Sequence, residues 1–378
     1  WEKIQSQFLI PPELTILNAA NLCPSPAHVL ETVTNYTRRL DSKPVPSYRA
    51  EMIAVKERTR HELAKYLRVT PDEILITRNT SESNNWVSNG LDLKEGDEVV
   101  IFSDNHPSNN EAWKERGKRF GFKVIEVHPL NPHPGFEYYI EAFKKALTSR
   151  TRVLAFTHLS NTVGDLFPAK ELCIMARERG VISLIDGAQS FGLLDVDLSN
   201  IKPDFYSGSA HKWPCGPKET GVLFVNKSIQ EHFWPSIYSA YKGSEGLAQT
   251  HEGLGQRDTP AIYAFGKQIE FLRKIGQNKI EKRSGDLATK IIAGLQNIQG
   301  VSVYTSNKRP LRSAVVTFRP ANLDPSKVVK ALENDGIVAA NLAGDGWAGV
   351  RFSPHFYNSD RDIKRAIDAI KGYVRKGL

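Results

Sequence analysis

Sulfur is scarce in this chain: three cysteines and two methionines in 378 residues. An odd, sparse set of cysteines (Cys23, Cys173 and Cys215) excludes a disulfide framework and suits a reducing compartment. Neither a CxxC nor an HxxxH spacing occurs, so no metal-ligand motif is present. Missing too is any apolar run of the ~18 to 20 residues that a membrane span needs, and there are no internal repeats and no low-complexity segment. Positive charge, by contrast, is in excess, with net +8 and pI about 9.2. It is interleaved with glutamates on helical stretches such as KERTRHELAKYLR (56–68), without a basic aromatic stripe. That pattern argues for solubility and attraction of anionic small molecules rather than for nucleic-acid or membrane binding. A cytoplasmic setting is the expectation, although a chain starting at Trp1 rather than Met leaves a trimmed leader and a periplasmic setting open.

What the sequence has is a series of strand signals, each followed by chemistry. Strand-like runs are EILIT (73–77), EVVIF (98–102), KVIEV (123–127), RVLAFTHL (152–159), VISLID (181–186) and GVLFV (221–225). A helix opened by Pro168 and stopped by Gly180 lies between two of them. The alternation predicts an α/β protein with a mostly parallel sheet between helices. After about Thr259 the pattern changes to a long helix, YAFGKQIEFLRKIG (263–276), then helices and alternating strands such as SAVVTF (313–318). We therefore expect a large domain over 21–258, and a smaller α+β domain formed by 259–378 together with the arm 1–20.

The most informative pair is Asp186, closing VISLID, and Lys212, closing DFYSGSAHK (204–212). An acid and a lysine at the ends of adjacent strands suit pyridoxal 5′-phosphate. The lysine forms an imine with its aldehyde, and the acid keeps the ring nitrogen protonated so that the ring accepts electrons. Other candidates also follow strand runs, where ligands bind in open α/β sheets. Thr80 and Ser81 in RNTSESNNW supply hydroxyls at a helix N-terminus for a phosphate. His106 in SDNHPSNNEAW is placed to stack on a flat ring, and Asn161 to hydrogen-bond the ring hydroxyl or a substrate group. Gln189 can reach the ring's phenolic oxygen, and Ala188 is small enough to let the ring lie flat. Ser209 and His211, flanking Lys212, add phosphate donors.

The ordered set TSE, DNHP, HLSNTVG, DGAQS, SxHKW and RFSPHFYN resembles the class V aminotransferase family of fold type I pyridoxal phosphate enzymes, over nearly the whole chain from LNAANLCPSP (17–26) to the last helix. HKWPCGPKETG and GQRD (255–258) resemble most its isopenicillin N epimerase-like and cysteine C–S lyase-like branch. The resemblance implies Lys212, Asp186 and His106 as catalytic residues, with Lys212 the Schiff-base lysine and His106 stacked on the ring. It implies a phosphate cup of Thr80, Ser81, Ser209 and His211, and Arg351 as the binder of the substrate α-carboxylate; should Arg351 not hold it, Arg257 is the next candidate. It also implies a homodimer acting on an amino acid or amino-acid-derived metabolite.

Two departures from the family pattern stand out. Gln256 occupies the place of a threonine that reaches the neighbouring subunit's phosphate in the family, and Glu219 replaces a usual glycine. The stretch GIVAANLAGDGWAGVRFS (336–353) holds no cysteine to carry a persulfide, which argues against a desulfurase. Its glycine-rich turn GDGWAGV (344–350) is expected to swing Arg351 over the ring. The reading is lyase or epimerase-like chemistry through Lys212, with a class V aminotransferase (the siderophore-maturation type included) as the alternative and a cysteine desulfurase behind both.

Overall fold

The structure is a computed structural model that describes residues 1–240, 242–243, 246–343 and 348–378. Seven strands form the main sheet: β1 (Ile74–Thr77), β2 (Glu98–Phe102), β3 (Lys123–Val127), β4 (Thr151–Thr157), β5 (Ile182–Asp186), β6 (Phe205–Ser209) and β7 (Gly221–Val225). Their order is β1-β7-β6-β5-β4-β2-β3. The strands from β3 across to β6 are parallel, and β7 runs antiparallel to both β6 and β1. β7 reverses because only the loop 210–220 joins it to β6, too short for a helical crossover.

Nearly every residue of these strands, β3 excepted, is buried. Alternation along each strand sends Val100, Phe102, Leu154, Phe156, Ile185 and Tyr206 into one apolar layer. It sends Val99, Ile101, Val153, Ala155, Leu184 and Phe205 into the other. A sheet covered on both faces has to read as continuous apolar runs, which is why these segments were visible in the sequence. No helix among the described residues is long and apolar enough to cross a membrane.

The C-terminal part adds an antiparallel sheet of β8 (Ser302–Val303), β9 (Val316–Arg319), β10 (Ala340–Leu342) and β11 (Gly349–Phe352), in the order β10-β11-β9-β8. The strand expected over 313–318 begins at Val316, where pairing with Phe352 begins. The helix expected from Tyr263 starts earlier, at Thr259, because the Asp258 carboxylate accepts from the Ala261 amide and caps it. The N-terminal arm joins this part: Thr15–Ile16 pair in parallel with Ile337–Val338, and Ser353 N donates to Leu17 O at 2.7 Å. Residues 344–347 of the glycine-rich turn lie outside the described residues.

A buried ion pair fixes the loop that carries Gln256. The Glu252 carboxylate accepts from Arg60 Nη1 at 2.7 Å, Arg60 Nη2 at 3.0 Å and the Ile76 amide at 2.6 Å. Lys56 Nζ stands 3.2 Å away. Burial opposes the charge, but Arg60, Lys56 and the Ile76 amide overcome it and hold the carboxyl down at about 2. Stability from this group is therefore complete above its unfolded value of ~4.3 and is lost as the pH falls from there towards 2. Arg60→Ala leaves a buried carboxylate short of its main partner and should cost about 3–5 kcal/mol in urea unfolding. A loss below ~1 kcal/mol would show the pair to be dispensable.

Candidate active site

Asp186 is the last residue of β5 and is 2% exposed. Its Oδ1 accepts from the Ala188 amide at 3.0 Å. Its Oδ2 accepts from Asn84 Nδ2 at 2.9 Å and, longer, from Asn109 Nδ2 at 3.5 Å. Both amides are themselves oriented: Ser207 Oγ donates to Asn84 Oδ1 at 2.7 Å, and Trp113 Nε1 to Asn109 Oδ1 at 3.1 Å. Fixed donors thus meet both oxygens and set the orientation of the carboxyl group. Gly187 follows because no side chain fits there: an added Cβ would stand 2.2 Å from the Tyr206 ring and 2.5 Å from Ser207 O.

Lys212 follows β6 and is half-buried. Its amine makes no ion pair among the described residues. Burial lowers its pKa, Asp186 opposes that and Arg351 adds to it, which brings the amine to about 8. His106 is exposed and caps the helix Pro107–Phe120, its Nδ1 accepting from the Ser108 amide at 3.2 Å. Partial desolvation, then the charge of Lys212, keeps its imidazole below the usual range; Asp186 and Arg351 act on it as well. Asp186 ends β5 and Lys212 follows the adjacent parallel strand β6, and His106 and Arg351 lie near enough to act on the same charges.

Arg351 lies on β11 and is 5% exposed. Nη1 donates to Asn161 O at 2.7 Å and Nη2 to Asn18 Oδ1 at 3.3 Å, while the buried Nε–H has no partner among the described residues. Burial without a carboxylate lowers the guanidinium to about 10. A buried cation with an unused N–H is suited to a carboxylate ligand. The Asn161 side-chain amide makes no hydrogen bond to the described residues.

The expected phosphate residues also gather here. Thr80 opens the helix Thr80–Gly90 behind its cap Asn79, and both its amide and its hydroxyl lie 2.8 Å from Ser209 Oγ. Ser81 is half-buried beside it. The His211 imidazole is lowered to about 4 by burial, Lys212 and Lys218, and is therefore neutral at pH 7. Gln189 is more occupied than expected: Nε2 donates to Ala20 O at 3.0 Å and Oε1 accepts from Trp213 Nε1 at 2.7 Å, leaving one N–H. Ala188 is 5% exposed.

Gln256 and Arg257 are not brought to Lys212. With Arg49 and Lys56 they line a separate cavity, and Arg257 Nη1 donates to Ile76 O at 3.1 Å. Glu219 has φ 57°, the left-handed conformation that suits glycine.

Sequence reading missed Asn84, Asn109, Asn18 and His355. Asn84 lies one helical turn beyond Thr80, and Asn109 three residues beyond His106; helical spacing puts each on the face of a residue already singled out. His355 is fully buried, with Nε2 2.6 Å from Trp213 O and Nδ1 3.0 Å from Ser284 Oγ. It ties the C-terminal part to the residue after Lys212, and no local signal announces it.

The profile of the aminotransferase class V family matches residues 17–366. An isopenicillin N epimerase of Streptomyces clavuligerus is 29% identical over 98% of this chain and 97% of its own. A probable cysteine desulfurase of Halalkalibacterium halodurans is 30% identical over 93% and 90%. In structure, an apo cysteine desulfurase from Thermococcus onnurineus superposes with TM-score 0.88 at 23% identity, covering 100% of this chain and 98% of its own. The cystine C–S lyase C-DES, solved with its product cysteine persulfide, does so at 0.88 and 21%, covering 95% and 98%. The fold is that of the fold type I pyridoxal phosphate enzymes. The chain belongs to the class V aminotransferase family and is a pyridoxal phosphate-dependent enzyme.

The Lys212 environment predicts its titration. In the cofactor-free protein, condensation with pyridoxal phosphate should rise with pH about a midpoint near 8. Asp186→Asn removes the effect that raises the value and should lower the midpoint; Arg351→Ala removes one that lowers it and should raise it. A midpoint near the ordinary ~10.4 of lysine contradicts the burial argument.

Proposed function

We propose that this enzyme acts at the α-carbon of an amino acid or amino-acid-derived metabolite, with lyase or epimerase-like chemistry. The observation that carries the reading is a Lys212 amine within electrostatic reach of a buried Arg351 that has no carboxylate partner among the described residues. Pyridoxal phosphate, when bound, supplies a ring that stabilises negative charge at the substrate α-carbon. Asp186, held as an acceptor by three N–H donors, would keep a proton on the ring nitrogen. His106 would cover the ring face, with Ala188 leaving room for the ring to lie flat. Gln189 through its remaining N–H, or Asn161, would meet the ring oxygen. Thr80, Ser81, Ser209 and His211 would hold the phosphate. Arg351, with Asn161 beside it, would orient the substrate carboxylate so that the α-proton faces Lys212. An amine near 8 is basic enough to take that proton and is partly neutral at pH 7.

The cysteines favour this reading over a persulfide-forming one. All three are buried, and none lies after Cys215. We also take 21–258 as the cofactor-binding domain and 1–20 with 259–378 as the smaller one, supported by the arm's pairing with Ile337–Val338. The enzyme is proposed to be a homodimer in which the exposed Gln256 reaches the partner's phosphate.

Amino acids and thioether conjugates, screened in deuterated water, should show α-deuterium uptake with isomer or elimination product. Keto acid formed in step with substrate loss, with neither ammonia nor the β-substituent released, would instead make the enzyme a transaminase.

Three variants separate the roles. Lys212→Ala should abolish turnover. Arg351→Ala should raise KM for α-amino acids roughly 10- to 100-fold and spare cofactor binding, with Arg351→Lys recovering only part. Unchanged KM in both variants would place the carboxylate elsewhere. For the dimer, mixing Lys212→Ala and Gln256→Ala chains should restore activity in hybrids, and an active monomer by light scattering refutes the shared site.

A further inference from the structure

Beside the site lies a cavity of about 650 Å³ that the chemistry above does not use. It is walled by the segments that follow β2, β3, β4 and β10, through Asp104, His128, Asn161, Thr162, Leu342 and Ala343. It therefore opens on the same sheet edge as Lys212. Two of its lining residues adjoin the site: Asn161, whose carbonyl takes the Arg351 Nη1 hydrogen bond, and Pro107, next to His106. A substrate whose carboxylate sits on Arg351 has this cavity beside it. The volume exceeds what the side chain of a small amino acid fills and suits an extended one.

Among the described residues that line the cavity, Asp104 is the only aspartate, glutamate, lysine or arginine. Asp104 Oδ2 accepts from Ser160 Oγ at 2.7 Å and from the Thr162 hydroxyl. Oδ1 accepts from none of the described residues, and no lysine or arginine among them pairs with the carboxyl. Burial raises its pKa, and the two hydroxyls offset that only in part. A carboxyl group with no cation partner among the described residues, on the wall of a cavity that adjoins the site, complements a positively charged group.

We propose that Asp104 and this cavity form a subsite for the distal end of the substrate, and that the end it selects is an ammonium group on an extended side chain. The inference rests on the amino-acid reading of the site above.

The test is a ligand series of constant backbone: lysine, 2-aminohexanoic acid (methyl end) and 2-aminoadipic acid (carboxylate end), with alanine as the ligand that lacks a distal group. Affinity for the holoenzyme is read from the shift of the cofactor's visible band on mixing. Lysine should bind at least about tenfold more tightly than 2-aminohexanoic acid, as befits one charge-assisted hydrogen bond, and 2-aminoadipic acid should bind least well. Asp104→Asn keeps an acceptor for Ser160 and Thr162 but removes the charge, and should abolish the lysine preference. His128→Lys adds a cation to the same wall and should shrink or reverse it; this variant reads the subsite even if Asp104→Asn does not fold. A purely structural Asp104 would weaken all ligands alike and leave the ratio untouched, which overturns the proposal. So does equal binding of lysine and 2-aminohexanoic acid in the unmodified enzyme, or binding of alanine alone. If no member of the series binds, alanine included, the amino-acid reading itself fails and the subsite with it.

Discussion

The site depends on one carboxylate buried at the end of a strand and met by three N–H donors. Asp186 ends a central strand, and the three N–H groups that meet its oxygens come from three different places: the helix after β1, the helix after β2 and the turn after β5 itself. A buried carboxylate needs such donors in place of the water it has lost. The packing of Thr80–Gly90 and Pro107–Phe120 against the sheet is thus part of the electrostatics and not only of the fold. Ser207 and Trp113 add an outer layer that fixes which end of each asparagine faces the acid.

Around that carboxylate the balance is positive. Lys212 feels both Asp186 and Arg351, His106 and His211 are held towards neutrality, and no second acid among the described residues acts on Lys212. A pocket built this way receives anions, and the two the reading calls for are a phosphate and an α-carboxylate. Lys212 feels competing pulls, down from burial and Arg351 and up from Asp186, and the outcome leaves a base that works near neutral pH. The second buried acid of note, Glu252, takes the opposite course: it is saturated by Arg60, Lys56 and a backbone amide and has only a structural part.

The main sheet was legible because a sheet covered on both faces must be written as apolar runs, and because Asp186 and Lys212 stand where two of those runs stop. Ends of elements were less legible. β4 stops at Thr157, two residues short of the apolar run, and β9 starts only where β11 offers a partner. Contacts between distant segments were not legible at all. Asn18 reaches Arg351 across the molecule, His355 reaches Trp213, and Gln189 turns one N–H to Ala20; nothing in the local pattern of the arm or of RFSPHFYN encodes those pairings. Arg257 illustrates the converse. Its position in GQRD made it a stand-in for Arg351, but Glu252 and Ile76 tie that loop to the end of β1, and its guanidinium stays with the Ile76 carbonyl.

The central claim is that Lys212 is the residue bonded to the cofactor. Borohydride reduction of the cofactor-loaded enzyme, followed by digestion and peptide mass spectrometry, tests it directly. The account predicts one pyridoxyl group per chain, on the peptide containing His211-Lys212-Trp213, and none after Lys212→Ala. A pyridoxyl group on any other lysine of the unmodified enzyme, with Lys212 untouched, would contradict it.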